Sequence, residues 1–157
     1  MKKIDITALL IHIIAAELVG ALSALFAGGF TGLYAIIKQP PLSPPPAVFP
    51  IVWTILYALM GASAYIIFAQ ETSSRKQHIA VGLYAIQLTV NFLWSIIFFR
   101  FEAFFLAALT AVLLAVLVAA MVFAFSKVSK IAALINLLYL AWSLFAAYLA
   151  LGVWILN

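Results

Sequence analysis

Residues 103–125 read AFFLAALTAVLLAVLVAAMVFAF, a run without one charged side chain and with Thr110 as its only hydroxyl. At about 1.5 Å rise per residue such a run covers the roughly 30 Å of a bilayer's hydrocarbon core. It does not alternate, so it is not a barrel strand. Four further runs of similar character flank it. Helices are predicted over residues 6–27, 48–69, 79–99, 103–125 and 131–156, joined by one long connection, 28–47, and by short turns. The fold class is all-α integral membrane, a single five-transmembrane-helix bundle over residues 1–157.

Composition supports this reading. Hydrophobic residues make up 69% of the chain and charged residues 8%. A soluble domain is nearer half apolar and a quarter charged, so lipid must cover what the core cannot. The net charge of +4 reads as topology rather than nucleic-acid binding. Lys2, Lys3, Arg75, Lys76, Lys127 and Lys130 fall on one side, and only Lys38 and Arg100 on the other. The positive-inside rule then places the N-terminus inside and the C-terminus outside, and the long connection outside. Met1-Lys2-Lys3 resembles the start of a signal peptide, but the apolar run after it is too long and lacks a clear cleavage site, so a retained first helix is expected.

There is no cysteine, which excludes thiol catalysis and disulfides. His12 and His78 are too few and too far apart for a metal site, and no phosphate loop, nucleophile–base pair or paired carboxylate is visible. Three features carry information instead. The first is the long connection. All six prolines lie between Pro40 and Pro50, and Pro44-Pro45-Pro46 favours a stiff extended path. Such a segment could roof the bundle, or merely connect two helices.

The second feature is a set of polar and aromatic faces. Tyr84, Gln87, Asn91, Trp94 and Ser95 recur at helical spacing on the third helix. Trp53, Tyr57 and Gly61 share a face of the second, and Tyr139, Trp142 and Ala146 of the fifth. Amides in hydrocarbon are expensive and should point inward, either as packing hydrogen bonds or into a pocket. By helical rise Trp53 lies about 9 Å and Asn91 about 14 Å below the outer helix ends. Trp142 falls near mid-membrane, beneath the proline segment. An apolar aromatic cavity with a few amides is what a ligand pocket looks like, and aromatic faces suit a flat conjugated ligand.

The third is Glu17, the one carboxylate well inside a span. With Gly20, Ala21, Ala24 and Gly28 on its face, it reads as a protonated, hydrogen-bonded residue in a close helix contact. The alternative is a carrier carboxylate.

Leu33-Tyr34-Ala35, Pro40, Pro44-Pro45, Val52-Trp53 and Leu56-Tyr57-Ala58-Leu59-Met60-Gly61 resemble the signature of the translocator protein family. That family is also known as the tryptophan-rich sensory proteins or peripheral benzodiazepine receptors. Gly82-Leu83-Tyr84 through Gln87, Asn91, Trp94 and Phe98-Phe99 resembles it too, as does Tyr139-Leu140-Ala141-Trp142.

The resemblance implies a membrane receptor-like protein, as in bacterial cell membranes. Its ligands would be porphyrins (protoporphyrin IX and haem-type tetrapyrroles) and hydrophobic drug-like molecules such as isoquinoline carboxamides. It also implies homodimers, a stress-response role, and, as for some bacterial members, light- and oxygen-dependent porphyrin degradation. Ligand-binding residues would be Tyr34, Trp53, Tyr57, Asn91, Trp94, Tyr139, Trp142 and Ala146, with Trp53 and Trp142 as the photo-oxidation residues. No covalent cofactor, metal or nucleic acid is implied; porphyrin is ligand or substrate, and the partners are lipid and a second copy. Leu33 stands where the family carries tryptophan, Leu138 where it carries proline, and Ala150 where it carries asparagine. No basic residue follows Tyr148, so the cholesterol pattern of animal members is not completed. A proton-coupled exporter using Glu17 and a non-catalytic membrane scaffold are the competing readings.

Overall fold

The computed structural model describes residues 4–28, 31–70 and 75–157. Its helices are α1 (Ile6–Ala27), α2 (Thr31–Ile36), α3 (Val48–Phe68), α4 (Arg75–Ser95), α5 (Phe104–Ser126), α6 (Lys130–Ile135) and α7 (Leu137–Leu156). A π-helical turn, Ile96–Arg100, prolongs α4. Among the described residues five helical segments are long and apolar enough to cross a membrane: α1, α3, α4 with its π turn, α5, and α6 together with α7. Among the described residues there is no strand.

Three elements differ from the sequence reading. The third crossing starts at Arg75 rather than residue 79, because Arg75 to His78 are polar but helix-compatible, and hydropathy sees only the apolar part. The long connection contains α2, whose six residues are too few to register as a span. The fifth crossing is interrupted at Asn136, where the Asn136 side-chain Nδ2 donates to Ala132 O at 2.8 Å. The expectations resting on Lys2, Lys3 and Glu71 to Ser74 lie outside the described residues.

Caps set the helix ends. Asp5 accepts from the backbone N–H of Ala8 and opens α1, satisfying one of the orphan donors of the first turn. Gly28, at φ 81°, closes it, a left-handed position that glycine takes without penalty. Ser129 accepts from the N–H of Ala132 at the start of α6.

Spans consecutive in the chain run antiparallel. The start of α1 meets the end of α3, where the N–H of Asp5 donates to Tyr65 OH at 2.9 Å. Midway, a Cβ on Gly61 would lie 2.5 Å from the Cα of Ile13; only glycine lets these backbones cross so closely. Ser23 Oγ donates to Phe92 O at 2.8 Å and ties α1 to α4. α5 packs along both α4 and α7, while α3 and α7 meet sparingly. That spacing leaves room inside the bundle at the end where α1 finishes. Outer faces stay apolar and exposed, with Leu10, Ile14 and Leu18 on α1 and Leu109, Leu113 and Val116 on α5. This is the surface lipid covers.

Candidate functional site: a roofed aromatic cavity

The room inside the bundle is a cavity of about 270 Å³. It lies in the half of the bundle nearest the proline-rich segment. Its walls come from the last turns of α1, the first half of α3, the end of α4 and the middle of α7. The π turn matters here. A wide turn adds one residue per turn and rotates the residues beyond it. Past Asn91 and Trp94, it brings Phe98 and Phe99 to the same wall.

The connection between α1 and α3 roofs the cavity through Tyr34 and Gln39, and its proline segment is held by named contacts. Tyr34 OH donates to Pro44 O at 2.6 Å, and Gln39 Nε2 donates to Tyr34 O at 3.0 Å. Tyr148 on α7 donates from its OH to Pro41 O at 2.8 Å. The Asn157 amide bonds both backbone groups of Lys38, at 2.9 and 3.0 Å. Pro40 is buried, and its ring fills the space where a Cβ on Gly152 would lie, 2.5 Å from Pro40 Cβ. Leu42 turns the chain at φ 67°, a left-handed conformation that a branched side chain seldom takes. Burial pushes the Tyr34 phenol up, so it remains a hydrogen-bond donor throughout the physiological range.

Seven of the eight expected ligand-binding residues line this cavity: Tyr34, Trp53, Tyr57, Asn91, Trp94, Trp142 and Ala146. Their rings fall into three contacting groups, around Phe49, Trp53 and Trp94. Phe49 stands edge-on to both Tyr34 and Trp142, at centroid distances of 5.3 and 6.1 Å. Trp53 lies 5.7 Å from Tyr57. Such contacts hold each ring in place before any ligand arrives. Trp94 is fixed by its indole N–H, which donates to Ala107 O at 3.0 Å.

Tyr139 is different. It is fully buried and does not line the cavity. Asn91 Nδ2 donates to Tyr139 OH at 2.9 Å, and Tyr139 OH donates to Gln87 Oε1 at 2.7 Å. Gln87 Nε2 in turn reaches Met60 Sδ at 3.8 Å. The tyrosine therefore orients the amides from below. One N–H of Nδ2 is spent on Tyr139, which leaves Asn91 its carbonyl Oδ1 and a second N–H.

Glu17 also departs from expectation. It lines the cavity, as do Gly20, Ala21 and Ala24. Its carboxylate has no hydrogen-bond partner among the described residues. The small-residue stripe is split in purpose: a Cβ on Gly20 would strike the Tyr57 ring, whereas Ala21 and Ala24 face the cavity and Gly28 is the helix cap. Sequence reasoning missed Phe49 and Gln39 as wall residues. Phe49 sits four residues before Trp53, and that spacing was the available signal.

His12 is remote from the cavity, against the rings of Tyr65 and Phe68. No group of three metal-ligating side chains occurs among the described residues.

Residues 10–155 match the TspO/MBR family. The chain is 35% identical to the tryptophan-rich protein TspO of Chlorobaculum tepidum over 124 residues, covering 79% of this chain and 78% of that protein. It is 30% identical to protein CrtK of Rhodobacter capsulatus over 153 residues, 98% of this chain and 94% of that one. It is 33% identical to the translocator protein of Ovis aries over 138 residues, 81% and 82% of the two chains.

Proposed function

We propose, from the premise that this chain belongs to the TspO/MBR family, that its cavity binds porphyrins and hydrophobic drug-like molecules. Protoporphyrin IX and haem-type tetrapyrroles are the foremost ligands in this reading. The observation that supports it is the placement of two indoles, Trp53 and Trp142, on different helices around one roofed space. Flat conjugated molecules gain most from such walls. The cavity's 270 Å³ is close to the lower bound of small-molecule sites, roughly 300 Å³. A macrocycle would therefore move the roof or extend beyond the walls.

Light- and oxygen-dependent degradation of the bound porphyrin is a second step of the same proposal. An excited macrocycle needs an oxidisable neighbour, and indole is the most readily oxidised side chain in this cavity. Titration of the purified protein with protoporphyrin, read by tryptophan fluorescence, tests binding. In a Trp53→Phe, Trp142→Phe double variant, affinity should fall severalfold, since each stacked pair contributes about 0.5–1.5 kcal/mol, and photoconversion should fall further. Equal affinity and equal photoconversion in a folded double variant would sink the assignment.

The assembly we propose is a homodimer in a bacterial cell membrane, with the cavity end outside. Arg75, Lys76, Lys127 and Lys130 sit at the opposite end, beside the start of α1, which supports that orientation. A proton-coupled exporter is the second reading, favoured by the carboxylate of Glu17 on the cavity wall. Ligand-driven proton flux in proteoliposomes, lost in Glu17→Gln, would select it.

A further inference from the structure

The cavity carries one carboxylate and no cation. Glu17 contributes the carboxylate and Asn91 an amide, and among the described residues no Lys, Arg or His lines the space. The neutral donors nearby are partly committed or enclosed. Trp94 Nε1 is bonded to Ala107 O, and one N–H of Gln39 Nε2 to Tyr34 O. Trp142 Nε1 is buried out of reach. Only hydroxyls such as those of Tyr57, Thr54 and Ser95 can act either way.

Glu17 lines the cavity and is partly exposed. Below it, α1 and α3 are pressed together at Gly61 and Ile13, and about one turn above it Gly20 lies on the Tyr57 ring. Beyond the Tyr57 contact the two helices part. Ala21 and Ala24 on α1, and Pro50 and Thr54 on α3, all line the cavity and are all exposed. The cavity thus opens sideways between α1 and α3. Thr54 lies about 9 Å inside the end of α3 by helical rise, so the opening is at hydrocarbon depth.

A carboxylate at that depth is costly unless a counter-charge is near, and none of the described residues lining the cavity supplies one. We propose that the ligand supplies it: this is a site for apolar amines, whose aromatic body rests on Trp53 and Trp142 while the protonated nitrogen donates to Glu17. Entry is from the membrane through the gap between α1 and α3. The inference rests on the cavity being a ligand site, as proposed above, but it concerns a different chemical class and a different residue.

The test uses two probes of one shape: N,N-dimethyl-1-(2-naphthyl)methanamine and its uncharged carbon analogue, 2-isobutylnaphthalene. Equilibrium dialysis compares the full chain in zwitterionic nanodiscs with protein-free nanodiscs, which removes partitioning into lipid. The amine should bind the wild type about tenfold more tightly than its analogue, the scale of one charge-assisted hydrogen bond. Glu17→Gln should bring the two within about threefold, the amine now making at most a neutral contact, and leave the analogue's affinity unchanged. Glu17→Asp, which keeps the charge, should retain the preference. Equal binding of both probes to the wild type, or a preference that survives Glu17→Gln, would overturn the role of Glu17 while leaving the cavity standing. Failure of both probes to bind above the protein-free level would overturn the cavity reading itself, and this inference with it.

Discussion

Tyr139 has one hydroxyl and two amides to serve. Replacing it by phenylalanine keeps the ring's packing but leaves Asn91 Nδ2 and Gln87 Oε1 buried without their partner. Stranding buried polar groups costs about 1–3 kcal/mol, so Tyr139→Phe should lower the thermal unfolding midpoint in detergent. It should also loosen Asn91, so affinity for polar ligands should fall more than for apolar ones. A variant with an unchanged midpoint would mean that the network carries little stability. The residue's place shows where sequence periodicity stops. Spacing put Tyr139, Trp142 and Ala146 on one face, and they do share it. Spacing does not say at what depth the cavity ends, and its floor lies between Tyr139 and Trp142. Glu17 gives the complementary case. Its face was legible, but whether that face met a helix or an empty space depended on how α1 and α3 cross, which only the packing at Gly61 decides.

Among elements, the proline roof is held from outside itself. Tyr148 and Asn157 both belong to the α7 end of the chain, more than a hundred residues away in sequence. Tyr148→Phe removes the bond to Pro41 and little else, because the residue is substantially exposed. Ligand should then dissociate faster in stopped-flow measurements, by up to about tenfold if the full 0.5–1.5 kcal/mol of a hydrogen bond is lost. Equilibrium stability should fall by no more than about the same 0.5–1.5 kcal/mol. An unchanged off-rate would mean that ligands do not leave past the roof. The five spans themselves were readable because hydrocarbon thickness imposes both their length and their composition. α2 and the break at Asn136 were not. A six-residue helix makes no span, and the Asn136 side chain finds its partner within its own crossing, which leaves no trace in hydropathy.

For the whole molecule, absence of cysteine makes accessibility mapping clean. Leu42 is 82% exposed at the roof, and Lys130 begins α6 at the far end. In intact cells an impermeant thiol reagent should label Leu42→Cys and not Lys130→Cys. The reverse pattern would invert the proposed orientation. The sideways gap between α1 and α3 has a consequence for how any affinity is written down. A site whose mouth lies in hydrocarbon equilibrates with solute dissolved in the bilayer, so its natural concentration unit is mole fraction in lipid. Doubling the lipid at fixed protein and fixed total ligand halves that fraction for a strongly partitioning molecule. Half-saturation quoted per litre of buffer should therefore drift with lipid content, and curves plotted per mole of lipid should superimpose. Two laboratories using different vesicle loads would disagree on a molar constant while measuring the same protein.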